Sequence, residues 1–353
     1  MKNIFQAVLI LLIISGCTSQ KQSVSYKAGF KTIRTTDKSR IYKPGTDTTS
    51  YLHYRPVDID IWYPSESRAT DSAVQFRYLL SLLEKRAVYY TNSDAFKGIT
   101  GQIAQSFCEG FKCSDTAKLL DFKTRTILNA NPVAGKFPVI IYMCAYNGMG
   151  FENFRLFEEF AEKGYFVISI NSIGRYPGDM TMKKEDMLEQ VYDAEYSLKQ
   201  VADIPGVDLS RTGIIGYSWG ALSGAILAGR IPDIRYLISL DGSEFHHYGK
   251  ATDENDDFNN IRASEEFRNL RLKMPYLRLE SSPVIIDEKP DSVYNFAEKL
   301  SGEKQIIKID SASHEDFSCL SEIIPASGNF RANNFFDKSV EIVKQFIAGQ
   351  TFN

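Results

Sequence analysis

Metal ligands are scarce in this sequence. It holds four histidines and five cysteines in 353 residues, with no CxxC pair and no HExxH run, so zinc sites of the usual spacing are excluded and no metal or other cofactor is expected. An excess of either charge is lacking too. The 41 basic and 44 acidic side chains leave a net charge of -3, and no basic stripe carries interleaved aromatics, which argues against nucleic acid as a partner. No internal repeat or low-complexity block is present. The apolar run Ala7 to Ile14 is too short to cross a bilayer, which takes about 20 residues.

What the chain does have is apolar bulk. With 43% hydrophobic residues it can bury a large core, in one big domain or two modest ones. Its first twenty residues, MKNIFQAVLILLIISGCTSQ, place a lysine before the apolar run and small residues after it, the pattern of an export signal. The Ile-Ser-Gly-Cys ending resembles the lipobox of bacterial lipoproteins. That resemblance implies a signal peptide over 1–16, lipidation of Cys17, a polar tether over 17–27 and a bacterial cell-envelope protein anchored to a membrane by lipid. In an oxidising compartment Cys108 and Cys113 are close enough to bridge, although spacing alone does not pair them. Cys144 ends an apolar run and reads as a buried thiol.

The remaining 28–353 reads as a strand–helix alternation. VDIDIWYP from residue 57 alternates apolar and acidic residues, as a half-buried strand does. Runs at 137–143, 165–170, 212–217 and 235–240 are short, apolar and bounded by turn formers, like strands buried on both faces of a parallel sheet; 275–280 and 304–310 close the series. Helical patterns lie at 152–163, 183–203, 219–229, 291–300 and 337–348. Right-handed crossovers between such units build a three-layer α/β sandwich on a mostly parallel central sheet. Two stretches interrupt it. Residues 66–134 carry Phe76, Leu79, Leu80, Leu83 and Ala87 at helical spacing, and 243–272 are polar and acidic; each is a lid or substrate wall, or else a packed surface helix.

The chemistry concentrates in GIIGYSWGALSG at 213–224. An apolar strand leads into Gly216-Tyr217-Ser218-Trp219-Gly220, and small residues open a helix after it. In a G-x-S-x-G elbow the serine sits on a strained strand-to-helix turn, and the flanking glycines avoid collision with the crossing backbone. Such a serine is lifted beside the helix N-terminus, where the Trp219 N–H can face an oxyanion. A serine nucleophile needs a base downstream. Of His246, His247 and His314, the last follows a predicted strand and precedes the terminal helix, where a loop returns over the elbow; the other two read as polar loop residues and His53 as structural. The glycine loop CAYNGMG after 137–143 offers the N–H of Met149 as a second oxyanion donor.

These residues resemble the α/β-hydrolases, and more narrowly their platelet-activating-factor acetylhydrolase and dienelactone-hydrolase-like branch. The resemblance runs from RPVDIDIWYP at 55–64 to HEDF at 314–317, through KFPVIIY, GYSWG and LDGS at 240–243. It implies an acid at the end of the strand after the elbow helix, the place of Asp241, and so a Ser218–His314–Asp241 triad. Asp287 and Glu280, near the next strand, are the competing acids. Asn147-Gly148 stands where the branch has His-Gly. The expectation is a cofactor-independent serine esterase acting on a small-molecule or lipid ester; a serine peptidase of the same fold and a non-catalytic glycan- or lipid-binding lipoprotein are the alternatives.

Overall fold

The apolar runs become the middle of one ten-stranded sheet. The computed structural model describes residues 25–66, 68, 71–111, 113, 115–176, 180–245, 252–281, 296–324 and 334–350. Cys17, His246, His247 and Asp287 lie outside the described residues, as does the first half of the helix expected at 291–300, whose end is a short 3-10 turn, Phe296–Lys299.

In chain order the strands are β1 (Lys27–Ile41), β2 (Tyr54–Ser65), β3 (Ala73–Gln75), β4 (Lys123–Leu128), β5 (Phe137–Met143), β6 (Phe166–Ile170), β7 (Val207–Tyr217), β8 (Leu237–Leu240), β9 (Tyr276–Glu280) and β10 (Lys304–Lys308). Their spatial order is β10-β9-β8-β7-β5-β6-β2-β1-β4-β3. From β10 to β6 every neighbouring pair is parallel, whereas β2 joins both β6 and β1 antiparallel. Strands β5 and β6 are buried throughout, as their unbroken apolar sequences require in a sheet covered on both faces.

The helices are α1 (Phe76–Thr91), α2 (Thr100–Gly110), α3 (Thr116–Leu120), α4 (Phe154–Glu162), α5 (Lys184–Val201), α6 (Trp219–Arg230), α7 (Thr252–Ala263), α8 (Glu265–Arg268), α9 (Leu320–Ile323) and α10 (Phe335–Gly349). Two apolar layers hold them to the sheet. On one face α1, α4 and α10 bury Leu79, Leu80, Phe154, Phe157 and Val343; on the other α5, α6 and α7 bury Val191, Leu222, Ile226, Phe258 and Ile261. Each such large side chain contributes roughly 1.5–3 kcal/mol. The result is the expected three-layer α/β sandwich with a mostly parallel sheet and helical insertions.

The structure differs from these expectations in four places. Strand β1 was not anticipated. It is polar because Thr32 and Arg34 bond the carboxylates of Asp60 and Asp58 on β2, at 2.7 and 2.9 Å, in place of apolar contacts. Strand β2 is not half-buried: α1 covers its acidic face, and Asp58 and Asp60 are 4% and 0% exposed. The end of the expected tether is packed, since Tyr26 sets its ring on Phe137 at 5.5 Å and donates its amide to the Glu162 carbonyl. Residues 66–134 are no free lid either, because β3 and β4 extend the sheet beyond β1. In α1 the buried positions are Phe76, Leu79, Leu80, Leu82, Arg86 and Tyr90, with Leu83 only partly buried. His53 is engaged locally, its Nδ1 2.8 Å from the Thr46 carbonyl.

Candidate active site

Strand β7 ends at Tyr217, α6 starts at Trp219, and Ser218 between them has φ 54° and ψ -123°. That backbone is costly for a residue with a Cβ and is held by its surroundings. The Ser218 amide donates to the Leu240 carbonyl at 3.0 Å, and its carbonyl accepts from Ala221 and Ser243. Both flanking glycines are required by space. A Cβ on Gly216 would lie 2.4 Å from the Gly220 carbonyl oxygen, and one on Gly220 would lie 2.0 Å from that of Met143. Ser218 remains half-buried. Among the described residues no acceptor receives the Trp219 amide.

Two loops bring partners to that hydroxyl. His314 opens a short 3-10 turn, His314–Phe317, whose entry is fixed by Ser313: its amide and hydroxyl both bond Asp316 Oδ2, at 2.7 and 2.8 Å. The imidazole stacks on Tyr217 with ring centres 5.1 Å apart, and the Tyr217 hydroxyl donates to the His314 carbonyl. Its Nε2 lies 2.9 Å from Ser218 Oγ and its Nδ1 2.7 Å from Asp241 Oδ2. Asp241 follows β8 and is fully buried; its Oδ1 accepts the Ser281 amide at 2.7 Å. Burial pushes the pKa of Asp241 up, but the hydrogen bond and charge of His314, the Ser281 amide and the charge of Arg278 outweigh it, and the net shift is down. The structure thus aligns Ser218, His314 and Asp241. Glu280 instead faces Arg278, at 3.4 Å.

The loop after β5 runs close to the elbow. Glu152, a buried carboxyl, accepts from the Ala145 N–H at 2.9 Å and from the Tyr142 hydroxyl at 3.0 Å, and its own amide donates to the Met149 carbonyl at 2.9 Å. Tyr146 makes the contact with the elbow, its ring edge-on to Trp219 at 6.3 Å. Burial raises Glu152 from 4.5 to about 8, against the opposing pull of its hydrogen-bond donors. Further along, the Gly150 amide donates to Asn171 Oδ1 at 2.8 Å, and the same oxygen accepts from Arg86 of α1 at 3.2 Å. Arg86 is also bonded to Asp58 at 3.3 Å and to Asp60. Glu152, Asn171 and Arg86 escaped the sequence reading; the one visible signal was the pair of acids in VDIDIW, which implies a cation once the strand is covered.

Cys144 is buried, its thiol pushed well up by that burial, while Cys108 and Cys113 form a disulfide. Among the described residues no group of three His, Cys, Asp or Glu side chains is placed to hold a metal ion, and no helix is long and apolar enough to cross a membrane.

No protein-family model matches the chain, and neither does any curated protein sequence. Among solved structures it is similar to a ferulic acid esterase from Streptomyces cinnamoneus, with a TM-score of 0.61 and 16% identity over 92% of this chain and 90% of that one. The fold is that of the α/β-hydrolases. It is also similar to a candidate dipeptidyl aminopeptidase IV from Bacteroides ovatus, with a TM-score of 0.50 and 12% identity over 92% of this chain and 36% of that one. At such identities the α/β-hydrolase likeness speaks for the architecture alone, and the chemistry rests on the side chains.

Proposed function

We propose that this α/β-hydrolase-fold protein cleaves carboxylic esters with Ser218 as nucleophile, His314 as general base and acid, and Asp241 as the residue that orients the imidazole. The observation that carries this reading is the unbroken line from Asp241 Oδ2 through both ring nitrogens of His314 to Ser218 Oγ. With Asp241 ionised, Nδ1 carries the proton and Nε2 presents its lone pair to the serine hydroxyl. Ser218 attacks the ester carbonyl as Nε2 takes its proton; the tetrahedral intermediate collapses as the imidazolium protonates the departing alcohol. Water, activated by the same nitrogen, then releases the acid.

The Trp219 amide at the start of α6 is the first oxyanion donor. The second is the Met149 amide of the glycine loop, a residue that lines the same pocket as Tyr217 of the elbow. The narrower acetylhydrolase-like activity, and an envelope location through a lipid on Cys17, belong to the same proposal and rest on the sequence motifs.

Ser218→Ala is expected to abolish labelling by a fluorophosphonate probe and to bring ester turnover down to the residual ~10³–10⁴-fold over water that binding and oxyanion donors give alone. Unchanged melting would show that the fold persists. Labelling that survives the substitution refutes Ser218 as the nucleophile; wild-type protein that takes no label favours a non-catalytic lipoprotein, and turnover of peptides in place of esters moves the reading to a peptidase.

A further inference from the structure

The segment 66–134 does more than extend the sheet. The C-terminal end of α2 reaches the site and, with the 145–152 loop and the turn after His314, lines a half-open pocket of about 180 Å³. Phe107, Phe111, Met149, Tyr217 and Leu320 supply its apolar surface. Phe107 and Phe111 lie nearly parallel, 11° apart with ring centres at 6.2 Å, and Phe111 keeps 38% of its surface exposed. The disulfide between Cys108 and Cys113 closes the turn that carries Phe111, and the Cys113 amide bonds the Cys108 carbonyl at 2.7 Å. The outermost aromatic residue is therefore covalently steadied.

The pocket lies beside the reacting groups and does not include them: Tyr217, which lines it, stacks on the His314 ring at 5.1 Å. Its size selects. A cavity of about 150 Å³ lined by apolar side chains accepts one benzene ring, whereas sites for larger organic ligands begin near 300 Å³. Its charge selects too. The ionisable side chains that line it, Glu152 and Glu315, are both acids, and no Lys or Arg is among the lining residues, so an anionic group finds no counter-charge. Flat aromatic walls reward a flat guest, because offset and edge-on ring contacts add to the area buried.

We propose that this pocket binds an uncharged aromatic ring of the ester, making Phe107 and Phe111 specificity-determining residues and residues 66–134 a substrate wall. This deepens the ester-hydrolase reading and rests on it. The ring can belong to the acyl group or to the alcohol, and paired esters separate the two: ethyl phenylacetate against ethyl butyrate, and benzyl acetate against ethyl acetate. The wild-type enzyme is expected to favour the aromatic member of one pair in kcat/KM by about tenfold or more, and Phe111→Ala to cut that ratio about tenfold. Equal rates within both pairs, or a ratio unmoved by both Phe111→Ala and Phe107→Leu, would overturn the proposal. Calorimetric titration of the preferred aromatic ester into Ser218→Ala protein, with and without Phe111→Ala, gives a readout free of turnover. Binding lost with Phe111 supports the pocket even if wild-type protein hydrolyses nothing, in which case only the hydrolase reading fails; absence of binding to Ser218→Ala protein refutes the pocket whatever the enzyme turns over.

Discussion

Replacing Asp241 by asparagine tests the site through the proton on one ring nitrogen. The two carboxylate oxygens have different tasks: Oδ1 takes the Ser281 amide and Oδ2 takes His314 Nδ1, each at 2.7 Å. Asparagine offers one acceptor and one donor. If its oxygen stays with Ser281, its NH₂ faces Nδ1, which must then be unprotonated, and the proton moves to Nε2, where it blocks acceptance from Ser218. If the amide turns over, the productive tautomer returns, but the NH₂ meets the Ser281 N–H in a buried site. Leaving that donor unsatisfied costs about 1–3 kcal/mol, so the productive form is outnumbered about 5- to 150-fold. Loss of the negative charge that stabilises the imidazolium adds to this, and a total fall in kcat of up to ~10⁴ is expected. The assay is ester turnover under saturating substrate, with active sites counted by fluorophosphonate labelling and folding checked by melting. A variant that keeps kcat within tenfold of wild type would refute the role of Asp241 and move the acid to another carboxylate.

Gly220→Ala is expected to lower stability by ~1–3 kcal/mol or more, reversing the gain of about 1 kcal/mol that alanine usually brings to a helix, because the new methyl meets the Met143 carbonyl; Gly224→Ala, facing the side chains of Ile214, Met143 and Leu237 and no backbone, is expected to be mild, and equal denaturant midpoints for the two would contradict the packing argument. Glu152 is protonated more readily in the fold than when unfolded, so its contribution to stability is full below about pH 4.5 and is lost as pH rises through about 8; Glu152→Gln should flatten that decline in melting temperature, and superimposable profiles would show that folding does not shift the titration of this carboxyl. Cys17→Ser is expected to release the protein from membranes or block its processing, since an acyl chain supplies about 0.8 kcal/mol per buried CH₂; membrane retention of a correctly processed variant would argue against the anchor.

The elbow was legible because its determinants are local: a strand, two glycines and a helix within GIIGYSWGALSG. His314 was legible through chain order, which the fold turns into proximity, and Asp241 through the resemblance that puts the acid after β8. The hold of Glu152 on the Ala145 amide was not, because it depends on the path of a loop seven residues long. Strand β1 was hidden by its polarity, and Arg86 by distance, since its partners on β2 lie 28 and 26 residues away. A cation that is exposed and one that neutralises two buried acids look alike in a sequence.

The cluster of Arg86, Asp58 and Asp60 also bears on how such a chain can change over time. Replacing Arg86 alone would leave Asp60 buried with only Thr32 and Asp58 with only Arg34, and removing the acids alone would strand a buried guanidinium; breaking a buried pair of this kind typically costs about 3–5 kcal/mol, a large share of an ordinary protein's margin. Neither side can be lost first. The charge cluster thus works as a ratchet: the surface of α1 and the rim of the pocket are free to vary, whereas Arg86 and its two acids can be exchanged only together.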